Sequence, residues 1–150
     1  MADPTLSREG NLRFASLATR GYPHDPWALA REVRRLLEGQ DVESYGPVAI
    51  FFNLPPQDLA TCECQVGTAI TGLGRAMGAM LIEDYRGLTS LSLPHVGPIR
   101  ELPLTWQRLE DHAKAQGRAT RPYWRLALRT QRMADGNLLP LAEAAVFLDR

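Results

Sequence analysis

Leu88-Thr89-Ser90-Leu91-Ser92-Leu93-Pro94-His95-Val96-Gly97-Pro98 reads as a strand running into a glycine corner. A helix follows over about residues 103–116, because Leu102, Trp106, Leu109 and Ala113 make one apolar stripe and Gly117 supplies a stop. Residues 123–129 then read as a strand, Ala134-Asp135-Gly136-Asn137 as a loop, and residues 139–148 as a last strand. The same succession stands 76 positions earlier, where Gly21 falls on Gly97, Ser16-Leu17 on Ser92-Leu93 and Val33 on Leu109. At that shift Gly46-Pro47-Val48-Ala49-Ile50 falls on Pro122-Tyr123-Trp124-Arg125-Leu126. The final strands match at a shift of 80, Glu63 with Glu143 and Val66 with Val146.

Working outward, the first half fills in the same way. Residues 12–19 form a strand. Asp25 is a helix N-cap with Pro26 at the first helical position, and residues 27–38 form a helix on the stripe Trp27, Ala30, Val33 and Leu37. Pro47-Val48-Ala49-Ile50-Phe51-Phe52 is a strand, Leu54-Pro55-Pro56-Gln57-Asp58 a loop that two prolines keep out of any central strand, and residues 61–70 a further strand. Residues 79–84 are a strand, Tyr85-Arg86-Gly87 a turn, and residues 88–94 the returning strand. The expected fold class is therefore α+β: two βαββ repeats, about residues 11–77 and 78–150, related by a pseudo-twofold within one domain. Eight or so antiparallel strands carry the helices on one side and leave a cleft on the other. A concavity between repeats is the natural place for a small organic ligand.

Composition narrows the function classes. With 17 Lys+Arg against 17 Asp+Glu the chain is neutral, so nothing global draws it to nucleic acid or to an anionic membrane. From His112 to Ala134 there are six cations (Lys114, Arg118, Arg121, Arg125, Arg129 and Arg132) and no acid, but no helix-turn-helix or zinc-finger pattern accompanies them. Direct nucleic-acid binding is not the expected role. The opening residues have no apolar signal region and no run reaches the ~20 apolar residues of a membrane helix, so a cytoplasmic protein is expected. Cys62 and Cys64 share one face of an extended segment, a poor geometry for a disulfide, and no histidine stands at zinc spacing to them. Two reduced thiols, no metal and no cofactor are expected. The glycines at 72, 74 and 78 do not make a dinucleotide-binding loop.

The stretch Leu88 to Pro98 resembles the strand and His-x-Gly-Pro corner of GyrI-like domains, the effector-binding modules of AraC-type and MerR-type regulators and of gyrase-inhibitor-like proteins. Residues 104–117 resemble the helix that follows in that family, and Arg121-Pro122-Tyr123-Trp124-Arg125-Leu126-Ala127 resembles its next strand. In the first half, Gly46-Pro47-Val48-Ala49-Ile50 and Cys64-Gln65-Val66-Gly67 are similar to the corresponding segments. The resemblance implies the two-repeat fold and a ligand cleft. It also implies a change of chemistry, since Arg125 stands where the family carries a buried Glu that attracts lipophilic cations, and Ala127 and Ile99 stand where it carries tyrosines. A guanidinium repels cations and favours carboxylate or phosphate, so the ligand's polarity is reversed or the site is abandoned.

Alternation places the side chains. Trp124, Leu126 and Leu128 take the helix side of their strand; Tyr123, Arg125, Ala127 and Arg129 take the cleft side. Val48, Ile50 and Phe52 go to core; Ala49, Phe51 and Asn53 go to the cleft. The candidate ligand-binding set is Arg125, Tyr123, Phe51, Arg129, Asn53, Glu63 and Trp124, with no catalytic residue assigned. The plainer reading of Arg125 and Arg129 is a solvated face paired with Glu63 or Glu143, and that of Trp124, Trp27 and Trp106 is core. His95 reads as a satisfied strand-end residue, and His24 and His112 as surface. Three functions follow, in this order: a stand-alone small-molecule-binding protein favouring anionic or neutral aromatic ligands, a GyrI-like small-molecule hydrolase, and a protein-interaction module acting through a partner.

Overall fold

Asp25 starts the first helix as its sequence implies: its Oδ1 accepts from the Ala28 backbone N–H at 3.1 Å, with Pro26 in the first turn. A computed structural model of the chain describes residues 3–53 and 58–149. Its elements are β1 (Thr5–Arg20), α1 (Pro26–Leu37), β2 (Glu43–Phe52), β3 (Glu63–Thr71), β4 (Leu81–His95), α2 (Leu102–Ala115), β5 (Thr120–Arg132) and β6 (Leu138–Leu148). Strand, helix, strand, strand thus occurs twice in succession. The loop expected at residues 54–58 lies, but for Asp58, outside the described residues.

The strands close into an antiparallel barrel in the order β1-β3-β2-β5-β6-β4. There are six long strands among the described residues where eight or so were expected. The expected strands 79–84 and 88–94 do not form a hairpin; residues 81–84 and 88–94 belong to one strand, β4, residues 79 and 80 precede it, and Tyr85-Arg86-Gly87 does not turn. The reason lies in the partner strand. β1 begins at Thr5, not near residue 12, and runs alongside β4 from Thr5 to Ser16, with Leu12 opposite Tyr85 and Gly10 opposite Leu88. The register shifts on both sides of Gly10, and the positive φ of Gly10 (73°) and Gly87 (60°) is taken up in this bulge.

Closure also corrects the expected open sheet. α1 lies against β1, β2 and β3, and α2 against β4, β5 and β6, both outside the barrel. The helix-free face is turned inward and mostly filled. Under the helices pack Val48, Ile50, Phe52, Val66, Leu126 and Val146 with Trp106 and Leu109 of α2, and Ala15, Leu17 and Ile70 with Val33 and Leu37 of α1. Inside the barrel Phe14, Ala49, Phe51, Tyr85, Leu88 and Phe147 make a separate cluster. All four residues of the α2 stripe are buried, but Trp27 is 42% exposed. It stands in the first turn of α1, while the helix buries itself through Ala30, Val33 and Leu37 further along. No helix among the described residues is long and apolar enough to cross a membrane.

Candidate functional site

Arg125 is central to β5, where its neighbours are Phe51 of β2 on one side and Ala145 of β6 on the other. Period 2 turns it into the barrel while Trp124 and Leu126 face outward. Only 8% of it is exposed. A charge so deep needs a partner, since desolvation of an unpaired guanidinium is prohibitive. That partner is Glu9. Nη1 and Nη2 of Arg125 donate to the two carboxylate oxygens of Glu9 at 2.6 and 2.8 Å, a parallel fork-to-fork pair. The guanidinium carbon also lies 5.0 Å from the centre of the Phe147 ring, a cation–π contact. The Arg125 carbonyl accepts from Trp106 Nε1 at 3.3 Å, tying the strand to α2.

Glu9 comes from the bulged part of β1. Its backbone is open to solvent, but its side chain reaches into the barrel and is 25% exposed. Burial acts to raise the Glu9 carboxyl, but hydrogen bonds and charge from Arg125, with help from the Ser90 hydroxyl and Arg129, outweigh it and hold the group below its ordinary value of 4.5. Arg129, four residues further along β5 and on the same face, lies 3.8 Å from Glu143 of β6. The site thus holds two cations and two carboxylates, locally balanced.

Beside this pair lies a cavity of about 120 Å³, lined by Glu9, Phe14, Ala49, Phe51, Arg125, Ala127 and Arg129, with Tyr45, Gly46 and Pro47 also on its wall. A larger hollow of about 410 Å³ lies between Arg8 and Arg118, but both arginines are exposed residues. The smaller one is the candidate site because there a buried charge pair meets an aromatic wall. Phe51 anchors that wall, stacking on Tyr85 at 4.6 Å and meeting Phe14 edge-on at 4.8 Å between ring centres.

The seven residues singled out in the sequence divide as follows. Arg125, Phe51 and Arg129 line the cavity. Tyr123 packs behind it against Tyr85 and Phe147, and its hydroxyl accepts from Arg121 at 3.1 Å. Asn53 is exposed beyond the end of β2, and Glu63 is exposed opposite Arg20 at the start of β3, away from the cavity. Trp124 is on the helix side, where Nε1 donates to Glu110 of α2 at 2.6 Å, so it is no part of the cleft wall. Sequence reasoning missed Glu9, Phe14 and Ser90. Phe14 could have been found from the alternation Phe14-Ala15-Ser16-Leu17; Glu9 had no local signal, its partner being 116 residues away.

The other candidates are accounted for. Sγ of Cys62 lies 3.5 Å from Sγ of Cys64, both thiols are free, and burial with the Cys62 contact pushes the Cys64 thiol far up, so that it stays protonated and unreactive. Buried His95 lies 2.8 Å from the Thr105 hydroxyl, and its Nε2 donates to the Pro98 carbonyl at 3.0 Å, so both ring nitrogens are satisfied. Among the described residues no three His, Cys, Asp or Glu converge as metal ligands. The basic stretch is scattered in space: Arg121 is held by the Arg86 and Gly87 carbonyls, Arg125 by Glu9, and Arg129 lies near Glu143.

No family model matches the chain, and no curated protein matches it. Solved structures do match in fold. The chain aligns with EcmrR in its complex with DNA at a TM-score of 0.74 and 10% identity, covering 98% of this chain and 57% of that one. It aligns with the crystal structure of the EcmrR C-terminal domain at 0.72 and 10% identity, covering 98% and 97%. A hydrolase from Listeria innocua aligns at 0.66 and 10% identity, over 98% of this chain and 92% of that one. The fold is thus the GyrI-like one of the sequence resemblance. The chain spans just over half the length of EcmrR in the DNA complex and nearly all of its C-terminal domain.

Proposed function

We propose that this protein is a cytoplasmic small-molecule-binding protein whose ligand, a flat aromatic compound that is neutral or anionic, enters the cavity beside Arg125. One observation carries the reading: a buried guanidinium in the barrel interior, stacked on Phe147 and facing a cavity walled by Phe14 and Phe51. Burying a paired charge adds little to stability compared with an apolar pair of the same volume, which favours a role in recognition. Aromatic rings fit the aromatic wall, and Arg125 opposes a cation. The two strand–helix–strand–strand halves, which we read as pseudo-twofold mates, both contribute to the wall, Phe14 and Phe51 from the first and Arg125 and Arg129 from the second. Two free thiols suit a reducing compartment. Hydrolysis is the weaker reading, because Glu9 is ion-paired and held below its ordinary value, a poor general base at neutral pH.

The test is a titration with three matched rings, naphthoate, naphthalenemethanol and naphthylmethylammonium, followed by tryptophan fluorescence. Naphthoate or the alcohol should saturate the protein and the ammonium should not. Ala127→Leu, which fills the cavity, should abolish the response. Saturation by the ammonium alone, or by every probe with Ala127→Leu binding as well as wild type, would overturn the reading.

A further inference from the structure

We infer that Glu9 is an internal stand-in for the ligand: the molecule this cleft selects carries a planar carboxylate that replaces the Glu9 carboxylate on Arg125. The inference rests on the cleft being a small-molecule site and names the ligand's reacting end.

The two members of the ion pair are held very differently. Arg125 is fixed: its strand is paired on both sides, its carbonyl is bonded to Trp106, and its guanidinium is seated on Phe147. Glu9 is not. It stands between Arg8, which is opposite Thr89, and Gly10, which is opposite Leu88, where the β1–β4 register shifts. Gly10 has φ 73° and nothing within 4 Å of where a side chain would begin, so the space beside the bulge next to Glu9 is open. A fixed receptor and a carboxylate on a loosely paired segment make a displaceable contact.

The size of the cavity points the same way. About 120 Å³ is smaller than the few hundred Å³ of typical ligand sites. Glu9 forms part of its wall, and withdrawing that one side chain enlarges the space next to the guanidinium. Its backbone is already open to solvent, so the displaced carboxylate has water to return to.

Charge decides which ligands can do this. Arg125 offers two N–H groups in one plane, now filled by two carboxylate oxygens at 2.6 and 2.8 Å. A ligand carboxylate reproduces both bonds and leaves no buried charge unpaired. A neutral ligand cannot: if it pushed Glu9 aside it would strand Arg125, so it must fit beside the intact pair. A cation would be repelled by Arg125 once Glu9 had moved. Glu9 therefore competes with carboxylates and not with neutral rings.

The experiment compares naphthoate and naphthalenemethanol on wild type, Glu9→Gln and Glu9→Ala, with circular dichroism confirming that each variant is folded. If Glu9 is the stand-in, naphthoate binds Glu9→Ala at least about tenfold more tightly than wild type. Naphthalenemethanol changes little, and Glu9→Gln, which keeps the shape without the charge, falls between. Unchanged or weakened naphthoate binding in folded Glu9→Ala overturns the inference even where the alcohol binds wild type and the small-molecule reading stands. If neither probe binds any of the three proteins, the small-molecule reading itself falls, and this inference with it. Should Glu9→Ala not fold, Glu9→Gln decides alone: a gain for naphthoate over the alcohol supports displacement, and its absence rejects it.

Discussion

At the scale of single residues, Glu9 ties the pH response of the protein to its site. Burial works against its ionisation and Arg125 works for it; the second wins, and the folded pKa lies below 4.5. A group depressed in this way contributes its stability in full above the unfolded value and loses it as pH falls through the folded one. The groups facing it are Arg125 and Arg129 from β5 and Ser90 from β4, with Glu143 of β6 beside Arg129. Glu9→Gln should be less stable than wild type by about 2 kcal/mol near neutrality, the scale of hydrogen bonds to a charged group. At acid pH, below 4.5, the difference should shrink as wild-type Glu9 takes up its proton. Urea unfolding at both pH values measures this, and a difference that does not change with pH would mean that the carboxylate's charge is not what matters. Phe51 and Arg125 were legible in the sequence because period 2 sorts side chains within one strand. Glu9 was not, since what selects it is the closure of the barrel. Trp27 was misread because a stripe says which face of a helix is apolar but not how far along it the core extends.

At the scale of elements, glycine was the ambiguous letter. Gly87 demands a positive φ, and both a turn and a bulge meet that demand. Only the partner strand β1 decides between them, and its first residues, Thr5 to Asn11, are too polar to announce a strand. The helices were legible almost to the residue because caps and stripes are local. Gly67 carries the opposite lesson. Its φ is ordinary, yet a Cβ there would lie 1.8 Å from the Ala15 carbonyl oxygen, so β1 and β3 approach through it. Gly67→Ala must push the strands apart and should destabilise by more than the about 1–3 kcal/mol of ordinary overpacking. Gly136→Ala is the contrast: φ is 86° and nothing lies within 4 Å, so only the dihedral penalty of about 1–2 kcal/mol applies. Chemical denaturation of both variants ranks them, and a smaller loss for Gly67→Ala would show that β1 and β3 can separate easily.

At the scale of the whole molecule, the two halves read from the sequence need each other. Each pairs its own strands, β1 and β2 with β3 in the first and β4 and β5 with β6 in the second. The barrel closes through pairs that cross between them, β1 with β4 and β2 with β5. The inner cluster crosses as well: Phe14, Ala49 and Phe51 come from the first half, Tyr85, Leu88 and Phe147 from the second. Separated, either half would expose two sheet edges and a row of aromatic side chains to water, with one helix covering only its other face. A sheet of three strands in that state is marginal. We therefore expect residues 1–150 to unfold as one domain in a single cooperative step. Fragments 1–77 and 78–150 should each lack near-ultraviolet circular dichroism and amide dispersion alone, and should recover both when mixed. The fragments report on the site too, because Glu9 and Arg125 are divided between them: complementation should restore naphthoate binding together with the folded spectrum. A fragment that folds by itself would place the stability inside the repeats, and the charge pair at the centre of the barrel would then be a contact between two independent units.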